Sequence, residues 1–390
     1  MRSYALRDAR PNSPGPGRLR IALLSRRFDS SGGGTERDLI VTAEQLARAG
    51  HHVTVYAAEK RGGERHEVRL VRTPPLGRAF RLWRFAHLAP AIARADGADL
   101  IVSFARAIGA DVIRSGGGAH VSYLEAARKW QSSSAAIAMR LSPYHRVQMA
   151  IERRAFASSR LRLVIAVSEV VRRDLIERFK LPPTKVATLY NGVDLERFRP
   201  PASEDTKRGI RHEFDIPDSV PLVMFVGNGF ARKGLPFMLE AWPRLESSAH
   251  LLVVGNDNAR ADYERRVRAL GLDRRVHFAG ARNDVAGLFH AADVLALPSI
   301  FEPFGNVVLE AMASRLKVVT SAQAGVSEVL PPELARFTIR NPCDSIEIAS
   351  RLDEIIDAPA DLGRQARAAA GSYSWDRYGV NLIRLLEDVG

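Results

Sequence analysis

One local pattern recurs along this chain: a short apolar run, a loop containing glycine, and a segment with helical periodicity. Residues 20–25 (RIALLS) form the first run, a loop with three glycines follows, and helical periodicity extends from about residue 35 to 48. A second apolar run occupies residues 52–57. Short apolar runs of this kind are typical of parallel strands, because helices cover both faces of the sheet. The order strand, glycine loop, helix, strand therefore predicts the start of a doubly wound α/β sheet.

The same pattern begins again in the second half of the chain. Further strands of the first half are predicted at residues 100–104, 163–167 and 186–189, and a polar stretch with two prolines at 200–205 predicts a linker. Strands of the second half are predicted at residues 222–226, 251–254, 276–279, 294–297 and 318–320. Because strands alternate with helices and no hairpin signal occurs, a second parallel sheet is expected. A length of 390 residues fits two such domains.

We therefore predict an α/β protein of two Rossmann-like, doubly wound parallel-sheet domains that face a cleft. Residues 1–18 are predicted to be a disordered basic tail without a secretory signal core. The N-terminal domain is predicted at 19–198, the C-terminal domain at 199–372, and a C-terminal helix that can pack back on the N-terminal domain at 373–390. No apolar run approaches the length of a membrane span, and the single cysteine, Cys343, excludes an internal disulfide and suits a reducing compartment.

The excess of positive over negative charge lies entirely in the first half of the chain. Residues 1–195 contain 33 Lys and Arg against 17 Asp and Glu, whereas the remainder contains 24 against 27. Such asymmetry indicates a polyanionic partner, namely an anionic membrane face, an acidic substrate or nucleic acid. An arginine-rich proteome that places arginine on solvated faces explains the composition equally well.

Residues 298–319 (PSIFEPFGNVVLEAMASRLKVV) contain the strongest candidate site. A strand ends at Leu297, Glu302 lies in the loop, Pro303 favours a helix start, and Glu310 follows about two turns later. Ligands of parallel sheets bind at the carboxyl ends of the strands, where helix N-termini attract anions. The backbone N–H groups predicted to face such an anion are those of Phe304, Gly305, Asn306 and Val307. An amphipathic core helix with two solvated carboxylates is the structural alternative.

This segment resembles the E-x7-E motif of family 4 glycosyltransferases, which have the GT-B fold. The resemblance extends from about residue 20 to the end and includes VGNGFARKG at 226–234, LLVVGN at 251–256, HFAGARNDV at 277–285 and AADVLALPS at 291–299. It also includes VSEVVRRDL at 167–175 and YNGVDLERFRP at 190–200. Within the family, the chain resembles bacterial lipopolysaccharide-core glucosyltransferases, which share a G-G-x-x-R-D pattern and similar R-K-G and R-N-D-V patterns.

The resemblance assigns roles to residues of the second domain. Arg232 and Lys233 are expected to neutralise the donor diphosphate and to stabilise the leaving group. Glu302 is expected to hold hydroxyl groups of the donor sugar, and Glu310 those of the ribose. The loop at Arg282 and Asn283 is expected to contact the base. Two surface cations at the end of a loop are the structural alternative for the first pair.

In the first domain, Gly33 and Gly34 are expected to let the backbone approach the same phosphates, although a glycine triplet after a strand is often only a turn. Asp38 is a candidate contact of the sugar or acceptor, and a solvated helix carboxylate is the alternative. His120 is a candidate catalytic residue because a histidine at this position contacts sugar or acceptor in related enzymes. A structural histidine is its alternative.

The resemblance implies a retaining hexosyltransferase without cofactor. In such an enzyme the nucleoside diphosphate leaves, and the acceptor attacks, on the same face of an oxocarbenium-like sugar. UDP-glucose is the favoured donor, with other UDP-sugars and GDP-mannose as alternatives, and a lipid-linked or lipopolysaccharide-core saccharide is the expected acceptor. Neither an Asp-x-Asp loop nor a Cys/His zinc cluster is present, so metal independence is expected. The sequence departs from the family at residues 314–317, where a glycine is common, and at 114–124, which should face the acceptor.

Three other classes of function are alternatives to glycosyl transfer. A dinucleotide-dependent oxidoreductase is disfavoured, because Arg232 occupies the third glycine position of the G-x-G-x-x-G pattern. A non-catalytic basic module that binds membrane is compatible with the charge, and nucleic acid is not expected because no nucleic-acid motif with spaced aromatic residues is present. A nucleotide-sugar epimerase or hydrolase on the same scaffold would be distinguished by its products.

Two basic and aromatic segments predict peripheral binding to an anionic membrane at its cytoplasmic face. Residues 76–88 place Phe80, Trp83 and His87 near one another at helical spacing, with a stripe of arginines beside them and Phe85 also in the segment. The arginines of the stripe are Arg78, Arg81 and Arg84. Residues 128–146 combine basic and aromatic side chains and match a stretch that is membrane-associated in the glucosyltransferases. Core aromatic residues with solvated arginines are the alternative.

Overall fold

The computed structural model describes residues 18–29, 34–62 and 66–389, which form two compact units. The first unit contains the chain up to Asn191 together with the segment from Trp375, and the second unit contains Gly192–Ser374. Each unit is built on one parallel sheet flanked by helices. The predicted fold class is therefore confirmed. The predicted disordered tail lies, except for Arg18, outside the described residues.

The first unit has a seven-stranded parallel sheet in the order β3-β2-β1-β4-β5-β6-β7. Its strands are β1 (Arg20–Asp29), β2 (His52–Arg61), β3 (Glu67–Leu70), β4 (Leu100–Ser103), β5 (Val112–Ser115), β6 (Leu163–Ala166) and β7 (Val186–Thr188). Its helices are α1 (Gly34–Arg48), α2 (Gly77–Ala95), α3 (His120–Ala127), α4 (Ser133–Leu141), α5 (Pro143–Phe156) and α6 (Glu169–Phe179).

The described part of the second unit has a five-stranded parallel sheet in the order β10-β9-β8-β11-β12. Its strands are β8 (Leu222–Val226), β9 (His250–Val254), β10 (Val276–Gly280), β11 (Val294–Leu297) and β12 (Lys317–Thr320). Its helices are α7 (Glu204–Glu213), α8 (Leu235–Ala241), α9 (Arg260–Ala269), α10 (Val285–Leu288), α11 (Asn306–Ala313), α12 (Pro332–Ala335), α13 (Ser345–Asp357) and α14 (Asp361–Ala370).

Burial explains why the apolar runs form the central strands. Every residue of β4, β6, β8, β9 and β11 is buried, as expected for strands covered by helices on both faces. The sequence did not predict β3 and β5, because Glu67 and Arg69 interrupt one and Arg114 interrupts the other. Arg114 is nevertheless fully buried, so its charge must be satisfied inside the unit.

The last helix, α15 (Trp375–Glu387), belongs to the first unit. Leu382, Leu385 and Leu386 join the buried cluster formed by β1 and by Leu39 and Leu46 of α1. Burying each of these leucines contributes roughly 1.5–3 kcal/mol, which is enough to hold the helix in place. The chain therefore crosses from the first unit to the second after Asn191 and returns after Ser374.

Both sheets contain one point at which the strand order reverses direction. In the second unit β8 lies between β9 and β11. The chain adds β9 and β10 on one side of β8 and then adds β11 and β12 on the other side. Loops that follow the two strands beside this reversal diverge to opposite faces of the sheet and leave a crevice at its carboxyl edge. In the first unit the corresponding strands are β1 and β4.

Candidate active site

The reversal point of the second sheet brings together the two predicted chemical segments. The loop after β8 carries Arg232 and Lys233, and the loop after β11 carries Glu302. Because β8 and β11 are hydrogen-bonded neighbours, their carboxyl ends are adjacent. Residues separated by about 70 positions in the sequence therefore meet at one edge of the sheet.

Both cations contact the same carboxylate oxygen. Lys233 Nζ donates to Oε2 of Glu302 at 2.7 Å, and Nη1 of Arg232 donates to the same oxygen at 3.2 Å. The same Nη1 also donates to the carbonyl of Phe301 at 2.7 Å. The arrangement places two positive charges and one negative charge in a half-buried position at the predicted donor site.

Glu302 is held in its ionised form. Burial raises the pKa of its carboxyl group, but the charges and hydrogen bonds of Lys233 and Arg232 outweigh burial, so the pKa lies below its usual value. An ionised carboxylate only accepts hydrogen bonds. Glu302 can therefore accept hydrogen bonds from hydroxyl groups but cannot donate a proton near neutral pH.

Two glycines permit close approaches at this site, Gly227 to the side chain of Lys233 and Gly234 to the backbone of Pro298. A Cβ atom on Gly227 would lie 2.3 Å from Cε of Lys233, and one on Gly234 would lie 2.0 Å from the carbonyl oxygen of Pro298. Both residues have positive φ, at +143° and +87°, which glycine adopts without strain. The side chain of Lys233 thus lies directly across its own loop.

The predicted anion-facing segment has a different start from the one that Pro303 suggests. Gly305 has φ +107° and precedes α11, so the helix begins at Asn306 rather than directly after the proline. Phe304 is buried, while Asn306 and Val307 are half-buried. Glu310 lies half-buried on α11, in the same unit as Glu302.

The loop predicted to contact the base is fixed by ion pairs. Arg282 donates to both carboxylate oxygens of Asp284, at 2.8 and 2.7 Å, and to Oε1 of Glu213 at 2.5 Å. Hydrogen bonds to Arg282 lower the pKa of Asp284. The carbonyl of Asn283 accepts a hydrogen bond from Arg197. The side chain of Arg282 therefore shapes the loop through these contacts.

In the first unit, Asp38 lies near a buried arginine. Asp38 is buried on α1, and its Oδ2 is 3.8 Å from Nη2 of Arg114. Arg114 also donates to Asn191 and, at 3.1 Å, to the hydroxyl of Tyr378 on α15. This excludes a fully solvated carboxylate at Asp38. Gly34 is the first residue of α1, whereas Gly33 lies outside the described residues.

His120 begins α3 and lies in a network of polar side chains. Its Nε2 is 2.9 Å from Nδ1 of His145, and its backbone N–H donates to the Glu152 carboxylate at 3.0 Å. Glu152 is fully buried and forms a 2.8 Å ion pair with Arg106. Burial and the charges of His145 and Arg106 lower the pKa of His120 to about 4, so its ring is neutral near pH 7.

Sequence reasoning missed the charged residues that support these positions. Arg114 and Glu152 are both buried, one in a strand and one on the inner face of α5. A charge within an otherwise apolar run signals a buried pair, because an isolated buried charge is too costly. That signal identifies the residue but not its distant partner.

The basic aromatic segment of α2 is only partly exposed. Phe80 and Trp83 have ring centroids 6.2 Å apart, and Trp83 and His87 are 4.5 Å apart, as their helical spacing predicts. Trp83 is 41% exposed, but Phe85 points into the core and is buried, which corrects its inclusion in the predicted surface. No helix in the described ranges has the length and apolar composition that a membrane crossing requires.

Helix α4, within the second basic segment, contains no buried residue. Ile137 and Leu141 are 59% and 66% exposed, and Arg140 of the same helix is also exposed. Helix α4 thus presents two large apolar side chains to solvent beside a basic residue. In the residues that the structure describes, no group of three His, Cys, Asp or Glu side chains is placed to hold a metal ion.

Each half of the chain matches a known protein family. Residues 32–197 match the family described as Glycosyltransferase Family 4, and residues 206–373 match the family described as Glycosyl transferases group 1. The two matches together cover most of both units.

Individual relatives extend this similarity. The lipopolysaccharide glucosyltransferase WaaG of Escherichia coli (strain K12) is 29% identical over 321 residues, which are 80% of this chain and 82% of that protein. The uncharacterized glycosyltransferase MJ1607 of Methanocaldococcus jannaschii is 32% identical over 235 residues, which are 57% of this chain and 59% of that protein. This chain therefore matches only about three fifths of the archaeal protein's length.

A solved structure shows the same fold. The crystal structure of WaaG, a glycosyltransferase involved in lipopolysaccharide biosynthesis, aligns with a TM-score of 0.78 over 93% of this chain and 98% of that chain. Sequence identity in that alignment is 24%. The two-sheet architecture is thus that of WaaG.

Proposed function

Because this chain belongs to glycosyltransferase family 4, we propose that it is a retaining enzyme that transfers a hexose from a nucleotide-diphosphate sugar. The acceptor that we propose is a lipid-linked or lipopolysaccharide-core saccharide. UDP-glucose is the favoured donor, since WaaG is named as a glucosyltransferase. The observation that carries the proposal is the position of Arg232 and Lys233 against Glu302 at the carboxyl edge of the second sheet.

In this proposal the two cations serve the leaving group. Negative charge builds up on the departing nucleoside diphosphate as the bond to the sugar breaks, and preorganised cations stabilise that charge. Arg232 offers a planar pair of donors to phosphate oxygens, and Lys233 offers a compact point charge. Metal independence follows as part of the proposal, because two cations can supply the charge that a divalent ion would.

Glu302 and Glu310 orient the donor in this scheme. The ionised carboxylate of Glu302 accepts hydrogen bonds from sugar hydroxyls, while Glu310 on α11 accepts them from the ribose. The loop at Arg282 and Asn283 contacts the base. The oxocarbenium-like sugar is attacked on the face from which the diphosphate leaves, so Glu302 and Glu310 are not the carboxylate pair of a glycoside hydrolase.

His120 and Asp38 serve the acceptor and the transferred sugar. The ring of His120 is neutral and contacts His145 through Nε2, so its Nδ1 remains to accept a hydrogen bond from a hydroxyl or to donate one to it. Asp38 is positioned by the buried Arg114. Peripheral attachment to the cytoplasmic face of an anionic membrane would bring the first unit to a lipid-linked acceptor, and the exposed apolar residues of α4 support this placement.

A donor screen tests the proposal. The melting temperature is measured with UDP-glucose, UDP-galactose and GDP-mannose, and acceptor trials follow with the donor that stabilises most, with and without EDTA. We expect UDP-glucose to stabilise most, EDTA to leave transfer unchanged, and the product to retain the anomeric configuration by NMR. If only GDP-mannose or only UDP-galactose stabilised the protein, the proposed donor, UDP-glucose, would be wrong. A product with inverted anomeric configuration would exclude a retaining mechanism.

The same screen separates the other candidate functions. A basic membrane-binding module would bind no nucleotide sugar. An epimerase or hydrolase would convert the donor at the same rate without acceptor. Transfer that depends on a saccharide acceptor would therefore distinguish the proposed enzyme from both.

A further inference from the structure

We propose, on the basis of the proposed function, that the first unit binds a phosphate substituent of the acceptor saccharide through Arg26, Arg78 and Tyr144. These residues come from β1, α2 and α5 and lie at one end of a continuous row of aromatic rings. The enzyme would accordingly use a phosphorylated saccharide as acceptor and discriminate against its uncharged counterpart.

Two guanidinium groups converge on one tyrosine. Arg26 Nη1 donates to the hydroxyl of Tyr144 at 3.0 Å, and the guanidinium carbon of Arg78 lies 5.0 Å from the centre of the same ring. Arg78 is also close enough to His145 for its charge, after burial, to lower the pKa of that imidazole. The positive charges of Arg26 and Arg78 thus lie close to the start of α5.

Among the described residues, no acidic side chain neutralises either guanidinium. Within the described ranges, no carboxylate lies within 4.0 Å of Arg26 or Arg78. Their neighbours differ: Arg27 on the same strand and Arg81 one turn along the same helix both pair with Glu59, at 3.6 and 2.5 Å. Like charges held close together repel each other, and a bound anion removes that cost. Arginine forks match the geometry of phosphate oxygens.

The aromatic row connects this cationic position to His120. Successive ring centroids are separated by 5.4 Å between Tyr144 and His145, 5.0 Å between His145 and His120, and 5.8 Å between His120 and Tyr123. Trp130 extends the row, 6.1 Å from Tyr123. Rings with an apolar body and a polar tip can bury sugar C–H groups and bind hydroxyls. A saccharide at His120 would therefore direct a charged substituent toward Tyr144.

The row favours a phosphorylated saccharide over a phospholipid headgroup. A headgroup phosphate alone would use the two arginines and leave the rings without a partner. A phosphorylated saccharide uses both parts of the site, because the ring packs on the aromatic row while the phosphate meets Arg26 and Arg78.

Calorimetry on the full chain tests the assignment with three probes: glucose 6-phosphate, glucose and glycerol phosphate. We expect glucose 6-phosphate to bind at least tenfold more tightly than either of the other two. The double variant Arg26→Gln/Arg78→Gln should weaken its binding roughly tenfold or more, because two charged hydrogen-bond donors are lost. The matched variant Arg27→Gln/Arg81→Gln removes the same charge from the same two elements and should change binding less than twofold.

Three outcomes would overturn the assignment. Equal weakening in both double variants would show a general effect of net charge. Equal affinity for glycerol phosphate and glucose 6-phosphate would identify a headgroup phosphate, and equal affinity for glucose would exclude a phosphate site. Binding of nucleoside diphosphate is measured in the same samples as a control for folding. Its absence in the parent chain would contradict the proposed donor chemistry alone, because Arg232 and Lys233 lie in the second unit.

Discussion

Arg232 and Lys233 are adjacent in the sequence but are fixed by different parts of the second unit. The Lys233 side chain lies over Gly227, where any Cβ atom would collide with it, and Arg232 is anchored on the carbonyl of Phe301. Both side chains are therefore held against Glu302 by contacts within the second unit. Cations that are already oriented need little reorganisation when charge develops on a leaving group.

Replacing either cation by alanine should slow transfer and weaken binding of the donor diphosphate. Loss of one charged contact to a leaving group costs roughly 2–4 kcal/mol, or about 30- to 1000-fold in rate. The kcat and KM values of Lys233→Ala and Arg232→Ala are compared with those of Arg266→Ala, which removes a surface cation paired with Glu240. Near-normal turnover in both site variants would refute their role.

Substitutions of the two glutamates of the E-x7-E segment, Glu302 and Glu310, should affect different steps of the reaction. Glu310→Gln is expected to weaken nucleoside diphosphate binding, because it removes the carboxylate assigned to the ribose. Glu302→Gln should impair sugar transfer more strongly than nucleotide binding. Calorimetry with nucleoside diphosphate alone, beside turnover with the full donor, measures the difference. Equal losses of diphosphate affinity in the two variants would contradict this division.

His120 should make folding stability depend on pH. Its pKa is about 4 in the folded chain and about 6.5 when unfolded, so the unfolded state binds the proton preferentially between these values. The unfolding free energy should therefore fall as pH decreases from about 6.5 to about 4. The full difference in pKa corresponds to about 3 kcal/mol, and solvent screening of this partly exposed ring reduces the contribution to the order of 2 kcal/mol.

Urea unfolding at several pH values, with the parent chain and His120→Asn, measures this contribution. Other histidines with lowered pKa values, such as His250 and His277, are common to both proteins and cancel in the comparison. The variant should lose less stability than the parent on acidification. Identical pH profiles would show that His120 is not held neutral by folding.

The sequence indicated which residue types form the donor site but not how they pair. A glycine loop with two cations and an acidic loop were each recognisable, yet their contact depends on β8 and β11 being neighbours at the reversal of strand order. Long-range pairs were not predictable for the same reason. Glu152 meets Arg106 only because α5 packs beside the loop that follows β4.

Among the secondary-structure elements, apolar runs identified strands better than they identified helix boundaries. The runs at 222–226 and 294–297 match β8 and β11 in full, since both strands are buried along their length. Strand β5 was missed because it is four residues long and includes Arg114. Helix α11 begins later than Pro303 suggests, because the positive φ of Gly305 keeps the chain out of the helical conformation.

The turn after α11 contains a residue in an unfavourable conformation. Arg315 has φ +67°, in the left-handed region that favours glycine, and its side chain is exposed. A non-glycine residue in this region costs roughly 1–2 kcal/mol, and glycine's extra freedom in the unfolded chain costs roughly 0.5–1 kcal/mol. Arg315→Gly should therefore stabilise the protein by roughly 0.5–1 kcal/mol in urea unfolding.

Arg315→Ala is the matched control, since it removes the side chain but keeps the strain and should change stability little. The opposite effect is expected at Gly363 of α14, where a Cβ atom would lie 2.2 Å from the Arg315 carbonyl oxygen. Gly363→Ala should destabilise by roughly 1–3 kcal/mol through overpacking. A glycine variant at 315 no more stable than the alanine variant would show that the turn carries no strain.

For the whole molecule, charge and exposed apolar surface coincide in the first unit. Residues 1–195 contain nearly twice as many basic as acidic side chains, and α4 presents Ile137 and Leu141 to solvent beside Arg140. Basic residues near an anionic leaflet each contribute about 1 kcal/mol of attraction, and inserted apolar side chains add to it. Such a surface fits the proposed peripheral contact with an anionic membrane.

Vesicle cosedimentation tests this membrane contact. Binding to vesicles with anionic lipid should exceed binding to purely zwitterionic vesicles and should weaken as added salt shortens the screening length. Ile137→Ser/Leu141→Ser should reduce binding to anionic vesicles roughly tenfold or more, because two apolar side chains no longer enter the interface. Ile346→Ser is the control, since Ile346 lies on α13 of the second unit and is 66% exposed, as Leu141 is. Binding that ignores lipid charge, or an equal loss in the control, would place the membrane contact elsewhere or exclude it.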